Sequence, residues 1–226
     1  MKLDGGPEWR NYRPKSSINS LSSSGFSSAV KLSQNKTTSK AIEVIKSVSK
    51  LLFLSFQIQN ELVSFSIDLF KDIHGRGLVK GRNTQKVSIA VVYISCRLKT
   101  LPITLDEIAR ASQTPKKEIS RLQKTFSKLL NLQLPQQNLL DFLYRFSSEL
   151  KLNRGTTEKS EDILRLVKKH SFDDGLSPNT VIGIIIYYAS KLEKDTRSQA
   201  TVAKVVGVSE LTIRNGFHRL NKIISL

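Results

Sequence analysis

The residues with the clearest chemical use lie between Ser198 and Arg219. Arg214 carries a planar guanidinium that can fork onto guanine O6 and N7, and Leu211 offers an apolar tip suited to a thymine methyl. Their setting is a run through Val202, Ala203, Val205 and Val206, then Gly207, Ser209 and a further run through Ile213. Gly207 can take a positive φ in a tight turn, and Ser209 can cap the second run. The pattern predicts a short helix near 199–206, a turn and a second helix near 209–224, which together form a helix-turn-helix. In that motif the first residues of the second helix enter the major groove. Here they are Ser209, Glu210, Leu211, Thr212 and Arg214, with Arg219 adding charge further along. The plainer alternative is a corner that only packs. Arg214 and Arg219 weigh against it, because a core makes few demands for cations.

A second set of cations lies upstream. Lys116, Lys117, Arg121, Lys124 and Lys128 fall within about four turns, and the last four recur at three- and four-residue steps. Such steps place them on one helix face. A solvated stripe and a phosphate- or partner-contacting face are both open readings.

Other chemistry has little support. The chain has one cysteine, Cys96, so neither an intrachain disulfide nor a cysteine-based zinc cluster can form. His74, His170 and His218 are scattered, no Gly-rich phosphate loop occurs, and no Ser/His/Asp or Cys/His set is suggested. The acids Asp173 and Asp174 precede Gly175 and read better as a solvated turn than as a metal site. We therefore expect no enzyme, no metal and no cofactor.

Charge points to polyanions. Lys and Arg outnumber Asp and Glu by 36 to 19, for a formal net charge of +17 over 226 residues. Such an excess concentrates DNA, RNA or an anionic membrane surface around the chain. Membrane is the weakest of these, since the longest apolar run, Val181 to Ser190, is far short of the ~20 residues of a spanning helix. Met1 to Arg13 lacks the apolar stretch of a signal peptide. The expected compartment is the cytoplasm or the nucleus.

The elements that must position these residues come in two copies. Gly81 to Tyr93 aligns without a gap with Gly175 to Tyr187, and the same offset pairs Thr104 with Ser198, Ile108-Ala109 with Val202-Ala203, and Ile119 with Ile213. The period exceeds that of stacked solenoid units, so it marks duplicated domains. We place helices near 39–54, 57–74, 84–99, 105–111 and 115–131, and again near 136–151, 157–171, 178–194, 199–206 and 209–224. Asn83 and Ser177 are candidate N-caps, Pro178 suits a first helical position, and Thr104 to Glu107 reads as a capping box. Val181 to Tyr188 is β-branched enough to pass for a buried strand. The cap before it and the apolar continuation through Ala189 and Leu192 favour a helix, enclosed by others because it is apolar nearly all round. The expected fold is all-α: two tandem five-helix cyclin-like repeats, over 39–134 and 135–226, the second ending in the helix-turn-helix. Residues 1–38, Ser-rich from Ser16 to Ser28, are expected to be a flexible segment and linker.

Three stretches resemble the archaeal transcription factor B and eukaryotic transcription factor IIB family, in the family's order. Gly6-Pro7-Glu8-Trp9-Arg10 resembles the start of its reader segment; Gly81-Arg82, Cys96-Arg97 and Thr104 to Ala109 resemble its first repeat; Gly207 to Asn215 resembles its second-repeat helix-turn-helix. The resemblance covers 3–15 and about 39–226. It implies binding to promoter DNA and the TATA-box-binding protein, recruitment of RNA polymerase, and a monomer when free. Leu211 and Arg214 would read the element upstream of the TATA box, Lys116, Lys117, Arg121, Lys124 and Lys128 would meet flanking DNA or the TATA-box-binding protein, and Glu8, Trp9 and Arg10 would enter the polymerase.

Two departures qualify this. No Cys or His cluster precedes Gly6, where the family has a zinc ribbon, and the stretch after Pro14 is short and Ser-rich. A truncated chain and a divergent paralogue acting as regulator or competitor both remain open. So do a cyclin-type protein-binding module, which would need neither the helix-turn-helix nor the charge, and a repressor using the second repeat alone.

Overall fold

The structure, a computed structural model, describes residues 27–52, 54–170, 172 and 175–224. Among the described residues there are ten α-helices and no strand. They divide into two compact units between Pro135 and Gln136.

The first unit holds α1 (Ser27–Lys50), α2 (Phe56–Gly75), α3 (Thr84–Leu98), α4 (Leu105–Ser112) and α5 (Lys116–Leu129). Helix α3 is its axis, with every residue from Val87 to Cys96 buried. Ala41, Ile45 and Val48 of α1, Leu69, Phe70 and Ile73 of α2, and Ile119 and Phe126 of α5 close around it. Burial pushes the Cys96 thiol far above the usual range, which rules it out as a nucleophile at neutral pH.

The second unit repeats the plan with α6 (Leu139–Glu149), α7 (Arg154–Lys169), α8 (Pro178–Leu192), α9 (Gln199–Val206) and α10 (Glu210–Ile224). The segment that could have been a strand is the helix α8, buried without interruption from Asn179 to Ser190. Surrounded on all sides, it satisfies its backbone internally, and that outweighs the β preference of its isoleucines.

The duplication reaches the backbone. Helices α3 and α8, and α4 and α9, begin and end at one constant offset, and α5 and α10 begin at it too. The same offset relates the left-handed residues Gly81 and Gly175, Thr100 and Lys194, and Gln113 and Gly207. Where the second repeat uses glycine at its corner, Gln113 takes φ 50 instead.

Caps set several boundaries. The Thr104 Oγ1 accepts from the Glu107 N–H at 3.2 Å, and the Glu107 carboxylate accepts from the Thr104 N–H at 2.8 Å, the predicted reciprocal box. Asn83 accepts from the Lys86 N–H. Ser177 is at the N-cap but makes no cap bond; its hydroxyl turns to Asn179 and Thr180 instead. Asn138 and Asn153 cap α6 and α7, so these helices start at Leu139 and Arg154 rather than near 136 and 157.

One expectation needs correcting. The segment read as linker to residue 38 is helical from Ser27. Serine costs only a few tenths of a kcal/mol in a helix, and a turn already anchored by the buried Ala41 and Ile45 extends at little cost. The remainder of the Ser-rich stretch, residues 16–26, lies outside the described residues. Among the described residues no helix is long and apolar enough to cross a membrane.

In the second unit Asp195 ties the start of α7 to the loop before α9. Its carboxylate accepts from the Asn153 N–H at 3.0 Å and the Thr156 hydroxyl at 3.3 Å, and pairs with Arg197 at 2.6 Å. The backbone N–H and, beyond it, the guanidinium hold its pKa below the ordinary value. A lowered folded pKa stabilises above the unfolded value, about 3.9, and that stability is lost as pH falls through the folded pKa. The urea midpoint of Asp195→Asn should therefore fall short of the parent at pH 7, and the gap should close on acidification below about pH 4. A gap that stays constant across that range would remove the carboxylate charge from the explanation.

Candidate nucleic-acid interface

The corner of α9 and α10 is built on α8. Gly183 of α8 faces Val206 and Ile213, so closely that a Cβ there would lie 2.8 Å from Val206 Cγ2 and 3.0 Å from Ile213 Cδ1. Gly216 of α10 is closer still to Ile184, whose Cδ1 and Cγ1 occupy the place a Cβ would take. These two hydrogens in place of side chains let both helices press onto the axis. The buried Asn179 amide donates to the Val206 carbonyl at 2.9 Å, satisfying a helix end that the turn leaves open. Gly207 then takes φ 74, and its N–H and that of Val208 both reach the Ala203 carbonyl. The Ser209 hydroxyl accepts from the Thr212 N–H at 3.1 Å and lies 2.7 Å from the Thr212 hydroxyl. Ser209 and Thr212 thus start the helix.

Packing decides which residues of α10 look outward. Ile213 and Leu220 are fully buried, and Phe217 lies against the rings of Tyr187 and Tyr188 at 5.4 and 5.3 Å. The opposite face carries Leu211, Asn215, His218 and Lys222, all exposed. Leu211 is 60% exposed, so its apolar tip is open to solvent. Arg214 and Arg219 flank this stripe on opposite sides, since their helical positions lie about 140° apart. The Arg214 Nε donates to the Gln199 Oε1 at 3.3 Å, and the Gln199 amide donates to the Tyr187 hydroxyl at 3.3 Å. The Arg219 guanidinium sits 4.8 Å over the Phe172 ring. Glu210 is the one acid in the α10 sequence, and it lies in the first turn, where the helix dipole favours it.

The matching corner of the first unit has different chemistry. At the constant offset, Lys117, Arg121, Lys124 and Lys128 correspond to Leu211, Asn215, His218 and Lys222. All four are exposed, and none forms an ion pair among the described residues. Lys116 is committed to Asp106 at 2.7 Å, and Glu118 to Lys86 at 2.6 Å. Between α4 and α5 an open groove of about 430 Å³ is lined by Leu105, Lys116, Lys117, Ser120, Arg121 and Lys124.

Of the residues singled out in the sequence, Leu211 lies on the outward face of α10 with Arg214 and Arg219 on its flanks, and Lys117, Arg121, Lys124 and Lys128 lie on that of α5. Asn215, His218 and Lys222 were missed, although three- and four-residue steps from Leu211 reach them. Gln199 and Asn179 were missed because nothing in the sequence announces a contact between helices. Glu8, Trp9, Arg10, Asp173 and Asp174 lie outside the described residues. Among the described residues no cluster of His, Cys, Asp and Glu could hold a metal ion.

Two five-helix units, each with an exposed corner helix, define a tandem cyclin-like repeat protein. The family described as the transcription factor TFIIB repeat matches residues 34–131 and again 132–223, and the chain belongs to that family. It is 37% identical over 158 residues to transcription initiation factor IIB of Methanococcus maripaludis, covering 70% of this chain and 47% of that protein. To transcription initiation factor IIB of Ignicoccus hospitalis it is 31% identical over 185 residues, or 82% and 57% of the two chains. To transcription initiation factor IIB 1 of Thermoplasma volcanium it is 30% identical over 184 residues, or 81% and 59%. The chain thus spans about half the length of the curated relatives it matches. Their names are those of transcription initiation factors, not of enzymes.

The close approach at Gly216 is open to test. Ile184 is branched at Cβ and buried, so it has little room to yield. Gly216→Ala should lower stability by about 1–3 kcal/mol in urea unfolding, the cost of overpacking a core. An unchanged midpoint would mean that α10 does not lie so near α8.

Proposed function

We propose that this chain is the core of a general transcription initiation factor, which binds promoter DNA together with the TATA-box-binding protein and helps recruit RNA polymerase. The observation that carries this reading is the pair of equivalent outward helices with different chemistry. Helix α10 offers Leu211, Arg214 and Asn215 within its first two turns, side chains suited to a thymine methyl, a guanine and an adenine edge respectively. Helix α5 offers Lys117, Arg121, Lys124 and Lys128, which can neutralise phosphates but discriminate bases poorly. One corner would read the sequence upstream of the TATA box. The other would hold flanking DNA or the TATA-box-binding protein. The family membership and the +17 charge support the same reading. Ser209 and Thr212 would set the start of the reading helix, Glu210 would face its edge, and Arg219 would add charge on its flank. Glu8, Trp9 and Arg10 remain the proposed polymerase contact.

A gel shift on promoter DNA with and without the TATA-box-binding protein tests the reading. Binding that depends on that protein supports it, whereas equal binding without it would make the chain a stand-alone sequence-specific repressor. Arg214→Ala should cost about 1–3 kcal/mol of affinity, concentrated on one base pair upstream of the TATA box. An equal loss on every sequence would reduce Arg214 to a phosphate contact. Lys117→Ala should lower the slope of log affinity against log salt by about one unit. An unchanged slope would move Lys117 to a protein interface or to solvent.

A further inference from the structure

We propose that Gln199 is a positioning residue that fixes the guanidinium of Arg214 for base reading. This rests on α10 being the reading helix. An arginine side chain is long and rotamer-rich, and ordering it on binding costs affinity unless the protein has already restricted it. The Gln199 Oε1 accepts from Arg214 Nε at 3.3 Å and engages no other nitrogen of the group. With Nε held, the terminal Nη pair is left as the fork, the end that matches guanine O6 and N7.

Gln199 is itself held. Its amide nitrogen donates to the Tyr187 hydroxyl at 3.3 Å, which orients the carbonyl oxygen toward Arg214. Tyr187 belongs to the buried axis helix α8, only 7% exposed, and its ring meets Phe217 edge-on. Gln199 opens α9 directly after Ser198, whose hydroxyl caps that helix through the Thr201 N–H at 3.0 Å. The chain of contacts thus runs from α8 through α9 to the exposed edge of α10.

The acceptor is neutral, and this matters. A carboxylate in its place would orient the guanidinium but cancel part of the charge that draws it to DNA. The first repeat provides an internal comparison. At the constant offset, Leu105 stands for Gln199 and Ser120 for Arg214, so neither the acceptor nor the arginine is present where the outward face is a row of cations. The orienting pair occurs only in the repeat whose face carries base-reading groups.

The test uses the full chain with an archaeal TATA-box-binding protein, on duplexes randomised upstream of a TATA box. Comparing the parent with Arg214→Ala identifies the base pair that Arg214 reads. The readout is the affinity ratio between duplexes with the preferred and a substituted base at that pair. Gln199→Met, similar in length but unable to accept strongly, should reduce the ratio about two- to tenfold, the range of one net hydrogen bond. Gln199→Glu restores an acceptor and should recover most of the ratio, since any uniform loss from its charge cancels. In the Arg214→Ala background, Gln199→Met should change the ratio no further. A ratio unaffected by Gln199→Met overturns the proposal, and so does an equal reduction in the Arg214→Ala background, which would make Gln199 a direct reader. If Arg214→Ala alters preference at no base pair, the reading of α10 fails first and the positioning role fails with it. Matching thermal melts of the variants separate these outcomes from unfolding.

Discussion

How near α10 can come to α8 governs nearly everything the second repeat displays. A helix shows outward whatever its packing leaves over. With Gly216 against Ile184 and Gly183 against Val206 and Ile213, the inner face of α10 is set by close approaches that leave no room for a side chain at either glycine. Rotating the helix by one residue step, about 100°, would bring Leu211 toward the core and expose Ile213. The glycines therefore matter less for backbone freedom than for distance. They make a precise surface out of an otherwise ordinary amphipathic helix.

The two repeats show how one scaffold can carry two kinds of surface. The third and fourth helices, the starts of the fifth and three pairs of left-handed residues coincide at one offset, so the corner helices stand in equivalent places on each unit. The side chains at the outward positions are nevertheless different, four cations in α5 against Leu211, Asn215, His218 and Lys222 in α10. Cations on a polyanion give affinity and salt dependence without register. Mixed apolar, amide and guanidinium groups give discrimination but less attraction. On the proposed function, dividing these tasks between duplicated units would let each face be suited to one of them.

Much of this was legible in the sequence, for a physical reason. Duplication shows as residue identity at a fixed offset, and caps and turns are local chemistry, so the third and fourth helices of each repeat fell within a residue or two of their expected bounds. The start of α1 was less legible, because a Ser-rich stretch says little about whether a distant anchored turn will extend through it. The Arg214–Gln199–Tyr187 contacts and the approach of Gly216 to Ile184 were not legible at all. They depend on interhelix distances, which no local pattern encodes. The outward residues Asn215 and His218 fall between these cases: the spacing that exposed the basic stripe of α5 would have exposed them too.

Site-specific photocrosslinking tests the division of reading and holding between the two faces most directly. A photoreactive side chain placed at position 215 in one protein and at position 121 in another is brought to a promoter bound by the TATA-box-binding protein. If α10 reads, position 215 marks bases in the major groove at one register upstream of the TATA box, moving with the sequence when the site is shifted. If α5 holds, position 121 marks flanking DNA or the TATA-box-binding protein without following sequence. Absence of any DNA adduct from position 215, or adducts spread evenly over all registers, would contradict it.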